Sequence, residues 1–402
     1  MKKPTQFSAA AIAVVMLLAV FPGCTSKSAK DEPTSVAGEK MHLKGYYRRI
    51  PWKQGGHKEA MLMAVAGTTI PMAQYSFTAS KDGQKYTGVL VGSSPFAKTL
   101  TASTIHAVVV PLKVTIGSAT FDPTALNSCD SNVSALTRFR QSPLVNDVPN
   151  LTMNGVDLGN AQFINGLRRA EFWSTIQGSA AYQNELSYTF ADAFTLTADV
   201  VSTHGTTAGS GCAQIGILSI NWLDGYLQNT VLPALTKAGT VSASAAVLFL
   251  FENIVQSDAE PPTTSSCCIL GYHSASGTPV QTYGTMDWDT SGNFGGVSDV
   301  AIASHEIGEW MDDPLANNAT PPWGAVGQVS DCQNNWEVGD PLSGTLMPAI
   351  TMNGKGYQMQ ELGFFSWYFN SSTDPSVGAG GKFSSNGTFS GPAKVCPPGG
   401  TN

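Results

Sequence analysis

Residues 302–313 read IASHEIGEWMDD and place one histidine and four acids within nine positions. Pro314 follows where a helix must end, so the pattern predicts a helix over residues 299–313. His305 and Glu309 lie one turn apart on one face of this helix. The other residues are mostly apolar, so the helix should be buried and its charged groups should need compensating partners.

This pattern indicates a metal ion held by an imidazole and carboxylates. Two donors at i and i+4 of a helix can share an ion, and a glutamate beside the first donor can accept a proton from ion-bound water. His305 and Glu309 are the predicted ligand pair, and Glu306 occupies the general-base position. The candidates for a third ligand are Glu337 and Asp340 downstream, and Asp313 at the end of the helix itself.

One imidazole with two or more carboxylates is a harder and more negative donor set than two imidazoles with one carboxylate. We expect Zn²⁺ first, with Ca²⁺ or Mn²⁺ as alternatives. The same residues also fit a site without catalysis, in which the ion or a polar helix face only braces a loop. Both interpretations stay open on the sequence alone.

The HEIGE helix with a downstream glutamate resembles the active-site helix of the zincin metallopeptidases, over roughly residues 245–341. The resemblance implies an active-site helix packed on a mixed sheet, a bound zinc ion and hydrolysis of peptide bonds, with Glu306 as the general base. Glu309 stands where that family has histidine. The segments HEIGEWMDDP and EVGD are more distantly similar to secreted phosphate-induced (Exordium-like) proteins and related bacterial exported proteins, a family without a settled activity.

Apolar, β-branched runs surround the predicted helix and indicate buried strands. The predicted strands cover residues 105–114, 245–255, 268–273 and 281–288, and the predicted earlier helices cover residues 134–139 and 162–173. The fold class predicted from this order is α+β: a mixed sheet packed against helices that include the HEIGE helix, with a loop-rich C-terminal region.

The composition favours an exported protein. Of 402 residues, 42% are apolar and only 13% are charged, and the net charge of −7 provides no basic surface for nucleic acid. Lys2 and Lys3 precede an apolar run over residues 9–21, which is the length of a signal-peptide core. Residues 1–23 are therefore the predicted signal peptide. Cys24 resembles the lipidated cysteine of bacterial lipoproteins, so we expect an outer-membrane lipoprotein or a secreted protein that meets the membrane only through that anchor.

The remaining chain divides by composition. Residues 24–45 are predicted to be a flexible tether, residues 46–370 a single α+β domain with its metal site within 297–341, and residues 371–402 a Gly/Ser/Pro-rich segment. Six cysteines besides Cys24 could form up to three disulfides in an oxidising compartment. The adjacent pair at 267–268 is expected to bond to distant partners.

Two functions are compatible with these features. The first is an exported metal-dependent hydrolase, zincin-like, that acts on a peptide or protein with metal-activated water. The alternative is a non-catalytic cell-surface or extracellular protein with a structural metal site or none. Metal content and activity on a protein substrate separate the two.

Overall fold

The computed structural model describes residues 40–51, 69–394 and 396, so the predicted signal peptide, Cys24 and most of the tether lie outside it. In chain order its strands are β1 (Met72–Thr78), β2 (Lys85–Val91), β3 (Ala102–Ile116), β4 (Ala119–Phe121), β5 (Thr152–Met153), β6 (Val156–Asp157), β7 (Gln183–Phe190), β8 (Phe194–Leu196), β9 (Gly205–Ala208), β10 (Ile215–Ser219), β11 (Ala246–Glu252), β12 (Ile254–Ser257), β13 (Cys267–Ile269), β14 (Gly271–Ser276), β15 (Gln281–Trp288), β16 (Ala319–Val326), β17 (Val329–Asn335), β18 (Ile350–Met352) and β19 (Lys355–Tyr357).

The α-helices of the described residues are α1 (Ala135–Arg140), α2 (Phe163–Glu171), α3 (Ala198–Val201), α4 (Ile220–Tyr226), α5 (Leu232–Lys237), α6 (Ala301–Asp312) and α7 (Phe365–Phe369). A π-helical segment, Leu227–Val231, joins α4 to α5. None of the helices described is long and apolar enough to span a bilayer.

The main sheet has the strand order β14-β15-β11-β3-β4, and β7 and β8 also pair with β3. Strands β3, β11 and β15 are mutually parallel, whereas β14 is antiparallel to β15. A second sheet has the order β13-β12-β10-β9. Together with the helices these sheets confirm the predicted α+β class with a mixed sheet.

Alternate residues of the central strands enter two different cores. Leu248 and Leu250 of β11 pack with α2 and α6, whereas Val247 and Phe249 pack with α4 and α5. Helices therefore cover both faces of the sheet, which explains why β11 is buried along its whole length and is continuously apolar as far as Phe251.

Helix α6 lies against β14 and β15, and every one of its residues is buried. It begins later than the predicted 299–313 because Asp299 has a φ of 44°, in the left-handed region outside helical geometry. The Asp299 carboxylate accepts hydrogen bonds from the backbone N–H groups of Val300 and Gln358. Burial of the whole helix means that its polar side chains must be satisfied within the protein.

Three disulfides join Cys129 to Cys212, Cys332 to Cys396 and Cys267 to Cys268. The expectation that the adjacent cysteines bond to distant partners is wrong. The other four described cysteines pair among themselves, so 267 and 268 are left with each other. The pairing of Cys332 with Cys396 ties the C-terminal segment to β17.

The segments on either side of the predicted domain also contact it. Phe383 and Ala393 of the Gly/Ser/Pro-rich segment are buried in the same core as α6. In the described part of the tether, the N–H groups of Met41 and Leu43 donate to the side-chain and backbone oxygens of Asn293. Residues 41 and 43, within the predicted tether, therefore contact the rest of the structure.

Candidate metal centre

Three elements bring a set of buried acids and histidines together. Strand β14 supplies His273, helix α6 supplies His305, Glu306 and Glu309, and the loop after β17 supplies Glu337 and Asp340; we call these six side chains the acidic cluster. All six are at most 7% exposed. Gly271 allows β14 to lie close to α6, because a Cβ there would come within 2.7 Å of Glu306 Oε1.

Three donor atoms of the cluster surround one point between β14 and α6. His273 Nδ1 lies 3.5 Å from Glu306 Oε2 and 3.6 Å from Glu309 Oε2. In a tetrahedral zinc shell with bonds of 2.0–2.2 Å, neighbouring donor atoms are roughly 3.4 Å apart. These two separations therefore match those of ligands around one ion, and one donor atom from each of the three residues lies within 4.8 Å of the other two.

The tautomer of His273 also suits a ligand. Its Nε2 lies 3.0 Å from the backbone carbonyl oxygen of Asp313 and must carry the proton to donate to it. In the neutral ring, Nδ1 then presents a lone pair to the carboxylates of Glu306 and Glu309. A backbone carbonyl that orients an imidazole in this way is a common partner of metal-binding histidines.

Several atoms around this point have no hydrogen-bond partner among the described residues. They are His273 Nδ1 and both carboxylate oxygens of Glu306, all buried. Buried polar atoms in folded proteins are normally satisfied, and a bound ion can satisfy those that no protein group reaches. The residues present therefore fit a divalent cation at this position.

A second group consists of His305 Nε2, Glu309 and Asp340. Nε2 lies 3.0 Å from Glu309 Oε1 and 3.7 Å from Asp340 Oδ1, spacings that would also permit an ion. The hydrogen bonds of the Gln360 amide make an ion at this second group less favourable. Gln360 Nε2 lies 2.8 Å from both the Gly339 carbonyl oxygen and His305 Nδ1, and it donates to each.

Because Nδ1 of His305 accepts from Gln360, the proton of the neutral ring lies on Nε2. That proton faces Glu309, although the 3.0 Å approach is poorly aligned for a hydrogen bond. The Gly339 N–H donates to Glu309 Oε1 at 3.0 Å. His305 and Gly339 thus hold one oxygen of Glu309, and leave the other directed at His273.

Two further predicted ligands lie outside both groups. Glu337 is buried beside Glu309, and its Oε1 is 3.9 Å from Arg49 Nε. Asp313 does not join the cluster, because its two carboxylate oxygens accept the backbone N–H groups of Asn317 and Asn318. The Asp313 carboxylate stabilises the chain just after α6.

The pKa values of the cluster reflect an uncompensated negative charge. Burial raises the pKa of Glu306 well above its ordinary value, and the charges of Glu309 and Asp340 raise it further. Burial and the charge of Glu309 likewise raise the pKa values of Glu337 and Asp340.

The two remaining groups respond differently. Burial raises the pKa of Glu309, but the interactions of its carboxylate with His305, His273 and Glu337 outweigh burial, so the pKa of Glu309 is lowered. Burial lowers the pKa of His273 to about 4, so the ring stays neutral near pH 7.

A cleft with a volume of about 640 Å³ borders the cluster. Its walls come from residues 44–49 and from the hairpin and loop around residues 328–340. Asp340 is the cluster member that lines it, and Gln328 Nε2 donates to Asp340 Oδ1 at 2.6 Å. Water or a substrate in the cleft would therefore meet Asp340 first.

The structure brings five predicted residues, His305, Glu306, Glu309, Glu337 and Asp340, into one cluster and leaves Asp313 outside. His273 is not among the ligands predicted from the sequence. A polar residue in a buried strand just before the helix was the available signal, but the sequence alone does not give the direction of its side chain. Comparisons with protein-family models, with curated proteins and with solved structures find no match for this chain.

Proposed function

We propose that this chain is an exported hydrolase that depends on a divalent cation held by His273, Glu306 and Glu309. One observation carries the proposal: an unprotonated imidazole nitrogen faces two carboxylates at 3.5 and 3.6 Å. Three acceptors at this spacing repel one another unless a proton or a cation lies between them. Three protein ligands with a further position for water is the arrangement of catalytic rather than structural zinc sites.

A bound divalent cation would lower the pKa of a water molecule and polarise a carbonyl group. The chain's own part is to orient the ligands and to accept the proton. Glu306, the general base expected from the motif, fits a ligand better because its carboxylate is directed at His273. Asp340 fits the proton acceptor, since it is the cluster member that lines the cleft, and burial raises its pKa above the ordinary value of an aspartate.

A peptide or protein substrate is the choice supported by the resemblance to zincin metallopeptidases and by the form of the cleft. The edge strand β14 and residues 268–271 border the centre, and they already pair with an extended segment of the chain. Export is supported by the apolar N-terminal run and by three disulfides, which persist in oxidising compartments. Zn²⁺ is the first candidate ion, and Mn²⁺ and Ca²⁺ are the others.

Burial of the cluster favours a second function. Glu306 and His273 are each 1% exposed, and a catalytic ion needs access for its substrate. In the second function the cation braces α6 against β14 in a non-catalytic extracellular protein.

Metal analysis of the purified full-length protein tests the first step. We expect one Zn²⁺ or Mn²⁺ per chain after dialysis, and loss of that ion in Glu306→Gln. Glu185→Gln changes an exposed glutamate of β7 and serves as the matched control, with unchanged metal content. Absence of any bound cation after incubation with each of the three metals overturns the proposal.

Cleavage of casein by the metal-loaded protein tests the second step. Hydrolysis that stops on chelation, returns on adding the metal and falls at least 100-fold in Asp340→Asn supports the enzyme. One tightly bound cation without cleavage of casein supports the non-catalytic protein instead.

A further inference from the structure

Residues 40–51, which we call the strap, run in extended form over the acidic cluster. Tyr46 N–H donates to the Cys268 carbonyl at 2.9 Å, and Leu270 N–H donates to the Tyr46 carbonyl at 2.8 Å. Arg48 N–H donates to the Gly271 carbonyl at 3.3 Å. The strap is thus added to the edge of β13 and β14 like an extra strand, which is one of the recurrent modes of peptide recognition.

A single glutamine, Gln328, forms two hydrogen bonds with the backbone of the strap. Gln328 Oε1 accepts from Tyr47 N–H at 2.8 Å, and Gln328 Nε2 donates to the Tyr47 carbonyl at 3.0 Å. Both bonds go to main-chain atoms, so they do not depend on the side chain at that position. The same Nε2 donates to Asp340, which places Tyr47 at the border of the acidic cluster.

The side chain of Tyr47 fills the space above His305. The two rings stack with their centroids 3.5 Å apart and their planes at 11°, and Tyr47 is only 4% exposed. An aromatic side chain at this position of a bound segment would therefore gain both burial and ring stacking.

Charge adds a third element of recognition. The strap contains Lys40, Lys44, Arg48 and Arg49 and has no acidic residue. Arg49 approaches Glu337, and Arg48 pairs with Asp258, which also accepts the hydroxyl of Tyr46. The surface beneath the strap is therefore matched to a basic segment.

We propose that the groove beneath the strap is a binding site for an extended basic polypeptide with an aromatic residue, and that the strap occupies this site in cis. A second polypeptide of the same chemistry binds by displacing the strap. The groove is argued from the strap contacts alone; its use as the substrate site rests on the proposed function.

Binding of a fluorescent peptide KMHLKGYYRRIP, the sequence of residues 40–51, tests the proposal. The probe is measured by anisotropy against the full-length protein and against full-length Tyr47→Ala/Arg48→Ala, whose strap is loosened while the groove is unchanged. A tethered strap competes at a high effective concentration. We therefore expect the peptide to bind the loosened variant at least 10-fold more tightly than the unsubstituted protein.

Two controls address the groove itself. Adding Gln328→Ala to the loosened variant should weaken the peptide at least 5-fold, and a peptide with alanine in place of the second tyrosine should bind as weakly. Equal affinity for the unsubstituted and loosened proteins, or binding to neither, overturns the proposal.

The unsubstituted protein gives an independent measurement that needs no variant to fold. Amide exchange at Tyr46 and Arg48 should quicken in excess peptide, and unchanged exchange contradicts displacement. Each measurement is made in EDTA and again with Zn²⁺. Peptide binding without any metal binding would support the groove and contradict the proposed function. Metal binding without peptide binding would support the proposed function and contradict the groove.

Discussion

Helix α6 contributes carboxylates to two buried polar clusters that differ in one respect. At its end, Asp312 meets Arg168 of α2, which also pairs with Glu171 at 2.9 Å; we call these three residues the ion-pair cluster. One turn earlier, Glu306 and Glu309 enter the acidic cluster. Arg168 is fully buried within the first cluster, whereas Arg49, the arginine that reaches the second, is 30% exposed and approaches Glu337 only to 3.9 Å.

The comparison separates a structural role from a functional one. Arg168 supplies a permanent cation between Glu171 and Asp312, although its Nε and Nη2 have no hydrogen-bond partner among the described residues. The acidic cluster has four carboxyl groups and two imidazole rings, and the arginine nearest to it, Arg49, is 3.9 Å from Glu337. Buried charge without compensation is costly, and proteins retain it mainly where an ion or a substrate completes it. We infer that the two clusters should respond to mutation with opposite sign.

The largest effect is expected from Arg168→Met. This change leaves the carboxylates of Glu171 and Asp312 buried without their cation, and should lower the free energy of unfolding by about 3–5 kcal/mol. Urea denaturation of the metal-free protein measures it. Arg140→Met is the control, because this exposed arginine stacks over Phe190 and should cost less than about 1 kcal/mol.

Urea denaturation of Glu306→Gln tests the acidic cluster in the same way. This change removes a carboxyl group from the acidic cluster, and metal-free Glu306→Gln should be at least as stable as the unsubstituted protein. A large loss of stability there would mean that the acidic cluster is already compensated and is a structural network like the other.

The next effect concerns the two histidines. His273→Ala removes a proposed ligand and should weaken Zn²⁺ binding by about 100-fold or more, whereas His305→Ala removes a group that positions Glu309 and should weaken it by about 10-fold. Isothermal titration of the metal-free variants measures both. The opposite order would place the cation at His305, Glu309 and Asp340, which is one of the ligand sets that the sequence leaves open.

The two clusters also differ in how much of each could be predicted from the sequence. Helical periodicity and Pro314 predict α6 to within two residues at its start, because both signals are local. They also predict that His305 and Glu309 meet. The role of His273 depends on the register of β14 against β15, where it pairs with Gly284, and on the glycine at 271 that lets the helix approach. Neither is visible in a local pattern.

The partner of Asp312 could not be predicted from the sequence either. Periodicity places Asp312 near the face of His305 and Glu309, and so suggests one acidic stripe. In the structure, α2 packs across the end of α6, and Asp312 pairs with Arg168 of α2 instead of joining His305 and Glu309. Position 168 lies 144 residues earlier in the chain, so only the tertiary fold shows that one helix serves two clusters.

A smaller effect is expected from pH. Glu306, Glu337 and Asp340 have raised pKa values when folded, so these three groups bind more protons in the folded protein than in the unfolded chain above about pH 4. Their contribution to stability is therefore greatest at low pH and declines as the pH rises toward the folded pKa values. Glu171, with a pKa raised to about 7 by burial, acts in the same direction without any metal.

A saturating cation distinguishes the two clusters in this experiment, because it should offset only the decline that arises in the acidic cluster. We expect the stabilisation by Zn²⁺ or Mn²⁺, measured by urea denaturation, to be about 2 kcal/mol greater at pH 8 than at pH 5. Equal stabilisation at the two pH values would indicate that the cation binds elsewhere.

The smallest effect is expected from Tyr47→Ala. Tyr47 lines the cleft and stacks on His305, whereas Arg168 and Asp312 of the ion-pair cluster are buried between α2 and α6. Removing the ring should increase the rate at which EDTA removes the cation by about 3- to 10-fold, the range of a modest local opening. The equilibrium affinity for the cation should be nearly unchanged, since Tyr47 is not a proposed ligand. Stopped-flow chelation measures the rate, with Tyr86→Ala as a control in β2. If the rate does not change, ions reach the centre by another route, and the cleft lined by Asp340 loses its proposed part in the reaction.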